Sequence, residues 1–141
     1  MRIFLDANVL FTAAHNPQGK AALVVELGQA GLWRLMTSRY AVEEARRNLV
    51  RKYPDVVARF ERMFAALLIV PDFPSIPCPE GLVAKDQPIY RAAMGGRADR
   101  LLTGDFKDFG FLMNSPDLTG EMRVQSVAEF LLSAQGDVSD A

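Results

Sequence analysis

Cysteine is nearly missing from this chain: Cys78 stands alone among 141 residues, so no disulfide can form within it. Histidine is as scarce, with His15 the single example, and the two together are too few for a typical zinc site. His15 sits in the turn-like stretch HNPQG and reads as a solvated loop residue. No long hydrophobic run is present either. The longest, MFAALLIV, falls far short of the roughly 20 residues that a membrane helix needs, so no membrane partner is expected. Charge of one sign is also lacking: the formal net charge is −1, and a polyanionic partner would have to be drawn by a local basic patch. The opening MRIFLDANVLFTAA is broken by Asp6 and Asn8 and lacks a cleavable-signal layout. With the lone cysteine, this gives the expectation of a cytoplasmic protein.

What is there is apolar substance, half of all residues, enough for one compact domain over 1–134 with a frayed polar tail, QGDVSDA, at 135–141. Short β-like runs alternate with longer helical stretches, which predicts an α/β fold with a parallel sheet of four to five strands. Strands are expected at 2–5, 32–37, 67–70, 100–103 and 122–125, and helices at 20–30, 39–51, 55–66, 87–94 and 127–134. PDFPSIPCPEGL is too rich in proline for a helix or central strand and reads as a surface loop inside the domain. Ligands of open parallel sheets sit beyond the carboxyl ends of the strands. Asp6 ends the first strand and Asp105 follows RLLTG, so both carboxylates are expected at that edge.

Other acids could join them, and clustered carboxylates repel unless some protonate or a cation intervenes. Oxygen ligands alone favour Mg²⁺ or Mn²⁺. In TSRYAVEEARRNL, a helical winding buries Ala41, Val42, Ala45 and Leu49, sets Glu44 on the flank of that stripe and turns Glu43 away from it. Glu44 is therefore the better candidate, although an ion pair with Arg47 or Arg51 would explain it as well. Asp86 precedes a helix with Pro88 in its first turn, where capping is an alternative role, and it shares the face of Ile89 and Ala93. Asp105 could cap a short helix from Phe106, and Asp108 could favour the positive end of that helix. Asn8 and Thr103 are neutral polar neighbours suited to orienting a carboxylate.

LDANVL, SRYAVEEARRNL and KDQPIYRAAMGGRADRLLTGDFKDF, in this order and over most of the chain, resemble the motifs of the PIN domain family. The resemblance implies a three-layer α/β/α, Rossmann-like fold and a metal-dependent ribonuclease. It implies Asp6, Glu44, Asp86 and Asp105 as catalytic and metal-site residues, Asp108 as a further metal ligand, and Asn8 and Thr103 as supporting groups. Asp99 falls at a structural position, and Asn8 stands where many relatives carry serine or threonine. Many members are VapC-type toxins held by a small antitoxin, so RNA, such an antitoxin and a second copy in a homodimer are the partners it brings into view.

The implied chemistry is phosphodiester hydrolysis assisted by Mg²⁺ or Mn²⁺. RNA contacts would fall to cations among Arg46, Arg47, Arg51, Lys52, Arg59 and Arg62, with Arg91, Arg97 and Lys107 contributed by the third motif; a solvated helical face accounts for the first group equally. Phe106, Phe109 and Phe111 could stack bases, but their amphipathic spacing points to the core. Two rival readings stay open. A haloacid-dehalogenase-like phosphatase shares the strand-then-aspartate start, with Thr37 and Ser38 after its next strand, but Asn8 cannot serve as the general acid it needs. A PIN-fold module that binds RNA or a partner without turnover is the other.

Overall fold

A computed structural model describes residues 1–140, with side chains described through Gln135. The chain opens with β1 (Arg2–Leu5) and passes at once into α1 (Ala7–His15), then α2 (Lys20–Gln29), β2 (Arg34–Ser38) and α3 (Arg39–Lys52). A 3₁₀ turn at Pro54–Val56 leads into α4 (Val57–Phe64) and β3 (Leu68–Val70). After the proline-rich loop and a second 3₁₀ turn (Ala84–Asp86) come α5 (Gln87–Gly95) and β4 (Arg100–Leu102). The chain closes with two short helices, α6 (Phe106–Phe109) and α7 (Pro116–Thr119), then β5 (Arg123–Gln125) and α8 (Val127–Asp140). The expected frayed tail at 135–141 falls, beyond Gln135, outside the residues whose side chains are described.

All strand pairings are parallel, and the sheet order is β3-β2-β1-β4-β5. Ile3, Phe4 and Leu5 are each fully buried although successive strand residues face opposite sides, so helices must cover both faces of β1. The result is the expected three-layer α/β/α arrangement, at the upper end of the expected strand number. From β1 the chain builds outward through β2 to β3, then returns to place β4 and β5 on the other side. The order thus reverses between β1 and β4, and the crevice beyond their carboxyl ends is where such sheets receive ligands.

Two features depart from the sequence reading, and a third concerns packing. The first helix was not expected at all. Asp6 begins it directly from the strand by accepting a hydrogen bond from the Ala7 amide at 2.7 Å, and Val9, Leu10, Ala13 and Ala14 bury its inner side. His15 is the last residue of this helix rather than part of a solvated loop, and its ring stacks on Tyr53 at 4.7 Å. The Gly95-Gly96 turn, finally, is needed for close packing. A Cβ at Gly95 would run into the Phe73 ring and one at Gly96 would meet Met36 Cε at 2.7 Å, while the left-handed residue of that turn is Arg97, at φ 60°.

Candidate metal-binding active site

The acids converge as the motifs imply. A cavity of about 220 Å³ beyond the carboxyl ends of β1 and β4 is lined by Asp6, Asn8, Glu44, Asp86 and Asp105, together with Phe11, Asn48, Lys52 and Lys85. A larger cavity, about 860 Å³, opens at the opposite strand ends around Met1, Arg2, Trp33 and Arg34. No carboxylate lines that one among the described residues, so its size has no bearing on acid-dependent chemistry.

Asp6 is held from two sides, by the start of α1 and by the residue just beyond β4. It is 3 % exposed, and its Oδ2 accepts from Thr103 Oγ1 at 2.8 Å and from Asn8 Nδ2 at 3.2 Å. The Asn8 side-chain Oδ1 in turn accepts from the Gly104 amide at 2.7 Å, and Thr103 Oγ1 accepts from the Asp105 amide at 3.0 Å. These bonds lace the end of β1 to the end of β4. Asn8 and Thr103 thus both donate to the Asp6 carboxylate. Burial pushes the Asp6 carboxyl up to about 6, with the Thr103 and Ala7 bonds opposing the shift and the negative Glu44 and Asp105 adding to it.

Asp86 sits at the N-cap position of α5, yet its side chain makes no capping bond, so the alternative role weighed from sequence is not the one it plays. Its carboxylate is buried and its Oδ2 has no hydrogen-bond partner. Burial raises its pKa to about 7; Lys85 opposes the rise, and Asp105 and Asp6 reinforce it. Asp105 does cap α6, its Oδ1 accepting from the Asp108 amide at 3.2 Å. Burial works against its ionisation, but Lys85 and the Asp108 amide outweigh this and hold it below the usual carboxylate range. Carboxylate oxygens of Asp86, Asp105 and Asp108 lie within 4.8 Å of one another.

Glu44 is half-buried on the wall of this cavity, while Glu43 is exposed and lines a different groove with Arg39, Val42 and Arg46. The winding read from sequence, with Ala41, Val42, Ala45 and Leu49 buried, holds in α3. Asn48, one turn beyond Glu44, and Lys52 share the cavity wall, and Lys52 also lies over the Phe11 ring at 5.7 Å. Asp99 stays apart, accepting from the Arg2 amide at 2.7 Å, which agrees with a structural position.

The cations suggested for RNA are placed unequally. Arg46 forks onto Glu61 and lies 5.3 Å from the Phe64 centroid, so it is committed to packing α3 on α4. Arg91 is similarly engaged, through Nε to the Ile76 carbonyl at 2.8 Å. Arg47, Arg51 and Lys107 are exposed, and Arg51 donates to Asn48 at 3.3 Å. The core assignment of the phenylalanines is right for Phe109 alone: Phe106 is 59 % exposed beside Asp105, and Phe111 is 43 % exposed.

Lys85 went unnoticed in the sequence. Its ammonium lies 3.0 Å from Asp105 Oδ2, 3.1 Å from Asp108 Oδ2 and 3.6 Å from Asp86 Oδ2. Partial burial disfavours its charge, but the surrounding carboxylates outweigh that and raise its pKa above the ordinary lysine value. Its place immediately before Asp86 was the one available signal. The oxygen-only donor set and the buried Asp86 Oδ2, which accepts no hydrogen bond, fit a hard divalent cation. Asp86, Asp105 and Asp108 could hold it, with Asp6 and Glu44 at the same cavity.

Residues 2–107 match the PIN domain family, a span that contains Asp6, Glu44, Asp86 and Asp105 and stops short of Asp108. Among solved structures, the chain is similar to the crystal structure of VapBC2 from Rickettsia felis bound to a DNA fragment from their promoter. The TM-score is 0.63 at 13% identity, over 89% of this chain and 98% of that one. It is also similar to VapBC-1 from nontypeable Haemophilus influenzae, with TM-score 0.55 at 14% identity, over 91% of this chain and 99% of that one. At such identities the likeness is one of fold. No curated protein matches the chain by sequence.

Proposed function

Because this chain belongs to the PIN domain family, we propose that it is a nuclease that hydrolyses RNA phosphodiester bonds with Mg²⁺ or Mn²⁺ held at the acidic cavity. The observation that carries the reading is the convergence of Asp6, Glu44, Asp86 and Asp105 from separate elements on one cavity at the sheet's reversal point. A bound divalent ion supplies Lewis acidity, which makes water a better nucleophile and offsets phosphate charge. The chain's own residues do the rest. Asp86, Asp105 and Asp108 offer the ligand oxygens; Asp6 and Glu44 border the same space; Thr103 and Asn8 fix the Asp6 carboxylate. Exposed Arg47, Arg51 and Lys107 are available to meet the RNA backbone, as are the exposed Arg62 and Arg97, and Lys52 adds one at the cavity wall. Arg46 is not among them.

The finer role proposed is that of a toxin restrained by a small antitoxin, in line with the VapBC assemblies whose fold the chain shares. A cytoplasmic location fits that role, and no described helix is long and apolar enough to cross a membrane. Family membership counts against the phosphatase, as does Asn8, whose amide is spent on Asp6 and Gly104. The test is incubation of single-stranded RNA with the protein and Mn²⁺. Products with 5′-phosphate and 3′-hydroxyl ends are expected, because attack by water needs no 2′-hydroxyl. Products with 2′,3′-cyclic phosphate would overturn the mechanism. Intact RNA alongside turnover of p-nitrophenyl phosphate would restore the phosphatase, and binding without cleavage would favour the non-catalytic module.

A further inference from the structure

Lys85 occupies the middle of the acid cluster. Its ammonium contacts the carboxylates of Asp105, Asp108 and Asp86, the residues whose oxygens lie close enough together to share one cation. A divalent ion of the Mg²⁺ type requires oxygens at about 2.0–2.1 Å and cannot share that space with an ammonium. The backbone of Lys85 is pinned, since its carbonyl accepts from Tyr40 Oη at 3.0 Å and it lies within the Ala84–Asp86 turn. The side chain is not: it is 59 % exposed and carries its charge on a flexible four-carbon stem. Displaced from the acids, the ammonium stays tethered at the rim of the cavity, where a phosphodiester oxygen is its natural new partner.

Resting on the reading of this cavity as a metal site, we propose that Lys85 is an internal counter-cation: it competes with the divalent ion for Asp105 and Asp108, and a phosphate that draws it away tightens binding of the ion. The site is thereby kept in register in the absence of metal, with an ammonium balancing acids that would otherwise repel one another. Metal and nucleic-acid phosphate then bind cooperatively through one side chain. Each removes the other's competitor, and the linkage is reciprocal.

Calorimetric titration of Mn²⁺ into the metal-free protein tests this without reference to activity. Lys85→Met keeps the stem and removes the charge; it should bind Mn²⁺ about tenfold more tightly than the parent, within the usual range of coupling between sites. Its metal-free form should melt lower than the parent's. Lys85→Arg keeps the charge and should retain the parent's weaker affinity. With a short phosphorothioate RNA present, the gap between parent and Lys85→Met should shrink to about threefold or less, because the phosphate has then taken the ammonium. Equal Mn²⁺ affinity of parent and Lys85→Met would overturn the proposal and leave the metal site standing. A gap unchanged by the RNA would overturn the coupling to phosphate. Absence of Mn²⁺ binding in every form would overturn the metal site itself, and the proposal with it.

Discussion

The Thr103 hydroxyl donates to Asp6 Oδ2 at 2.8 Å across 97 positions of sequence, joining the ends of the two parallel strands between which the strand order reverses. Both residues are almost wholly buried, and the bond favours the ionised form of a carboxylate that burial disfavours. Thr103→Val keeps the shape and removes the donor. It should cost about 1–3 kcal/mol in urea unfolding, the usual result of leaving a buried acceptor short of a partner. The loss should be larger at pH 8 than at pH 5, where Asp6 is largely neutral. An equal loss at both would show that the hydroxyl serves packing and not the carboxylate.

Most of the sheet was readable beforehand because short, apolar strands bounded by turns leave a strong signal, and β1 was read to the residue. The first helix was missed for a physical reason. It starts within a residue of the strand, and Asp6, which caps it, also belongs to the site, so no loop separates the two patterns. Three of the acids that line the cavity carry a positional signal, since helix winding separates Glu44 from Glu43 and strand ends mark Asp6 and Asp105, whereas Asp86 is singled out only by the resemblance to the PIN motifs. Lys85 was not legible, since an ion pair between the turn before α5 and the loop after β4 leaves no periodicity. The exposure of Phe106 was hidden likewise: α6 spans only Phe106–Phe109, too few residues to have a face that spacing could reveal.

Metal-free stability should fall as pH rises. Burial raises Asp6 to about 6 and Asp86 to about 7, so between the ordinary carboxylate range and these values the folded chain binds protons that the unfolded chain has released. That stabilisation is full below the unfolded pKa and is lost as pH climbs through the folded values. Asp105, shifted downward, acts in the opposite sense and costs stability only in more acid solution. The melting temperature without metal should therefore decline from pH 5 to pH 8, and Mg²⁺ should restore it at pH 8. Asp86→Asn should flatten the decline. A melting temperature that rises over this interval would mean that these carboxyls are not held protonated by burial.

Phe106 offers a test of the RNA face. It is more than half exposed, directly follows Asp105 and precedes the exposed Lys107, so under the proposed function its ring is available to stack on a base of the RNA. Phe106→Ala should weaken binding of single-stranded RNA by about 1–3 kcal/mol, the usual contribution of one stacked base, and leave the melting temperature nearly unchanged. Phe109→Ala should do the reverse, lowering stability by about 3–5 kcal/mol because that ring is fully buried. Unchanged RNA affinity in Phe106→Ala would remove the ring from the binding surface.

The adjacent glutamates provide the most discriminating comparison, because they share a helix and a chemistry but not a direction. Glu44 borders the cavity with Asp6, Asp86 and Asp105, whereas Glu43 is exposed in a groove with Arg39 and Arg46. Glu44→Gln should lower RNA cleavage by about two orders of magnitude, as the loss of a positioned catalytic or ligand group commonly does. Its metal-free form should melt no lower than the parent, since Glu44 adds to the repulsion that disfavours ionised Asp6. Glu43→Gln should alter the rate little and stability by less than about 0.5 kcal/mol, the range of exposed helix pairs. Arg46 keeps its fork onto Glu61 in either variant, so the packing of α3 on α4 survives and any difference in rate reports the cavity alone. A larger loss at Glu43 than at Glu44 would place the chemistry on the outer side of α3, away from every other acid of the proposed site.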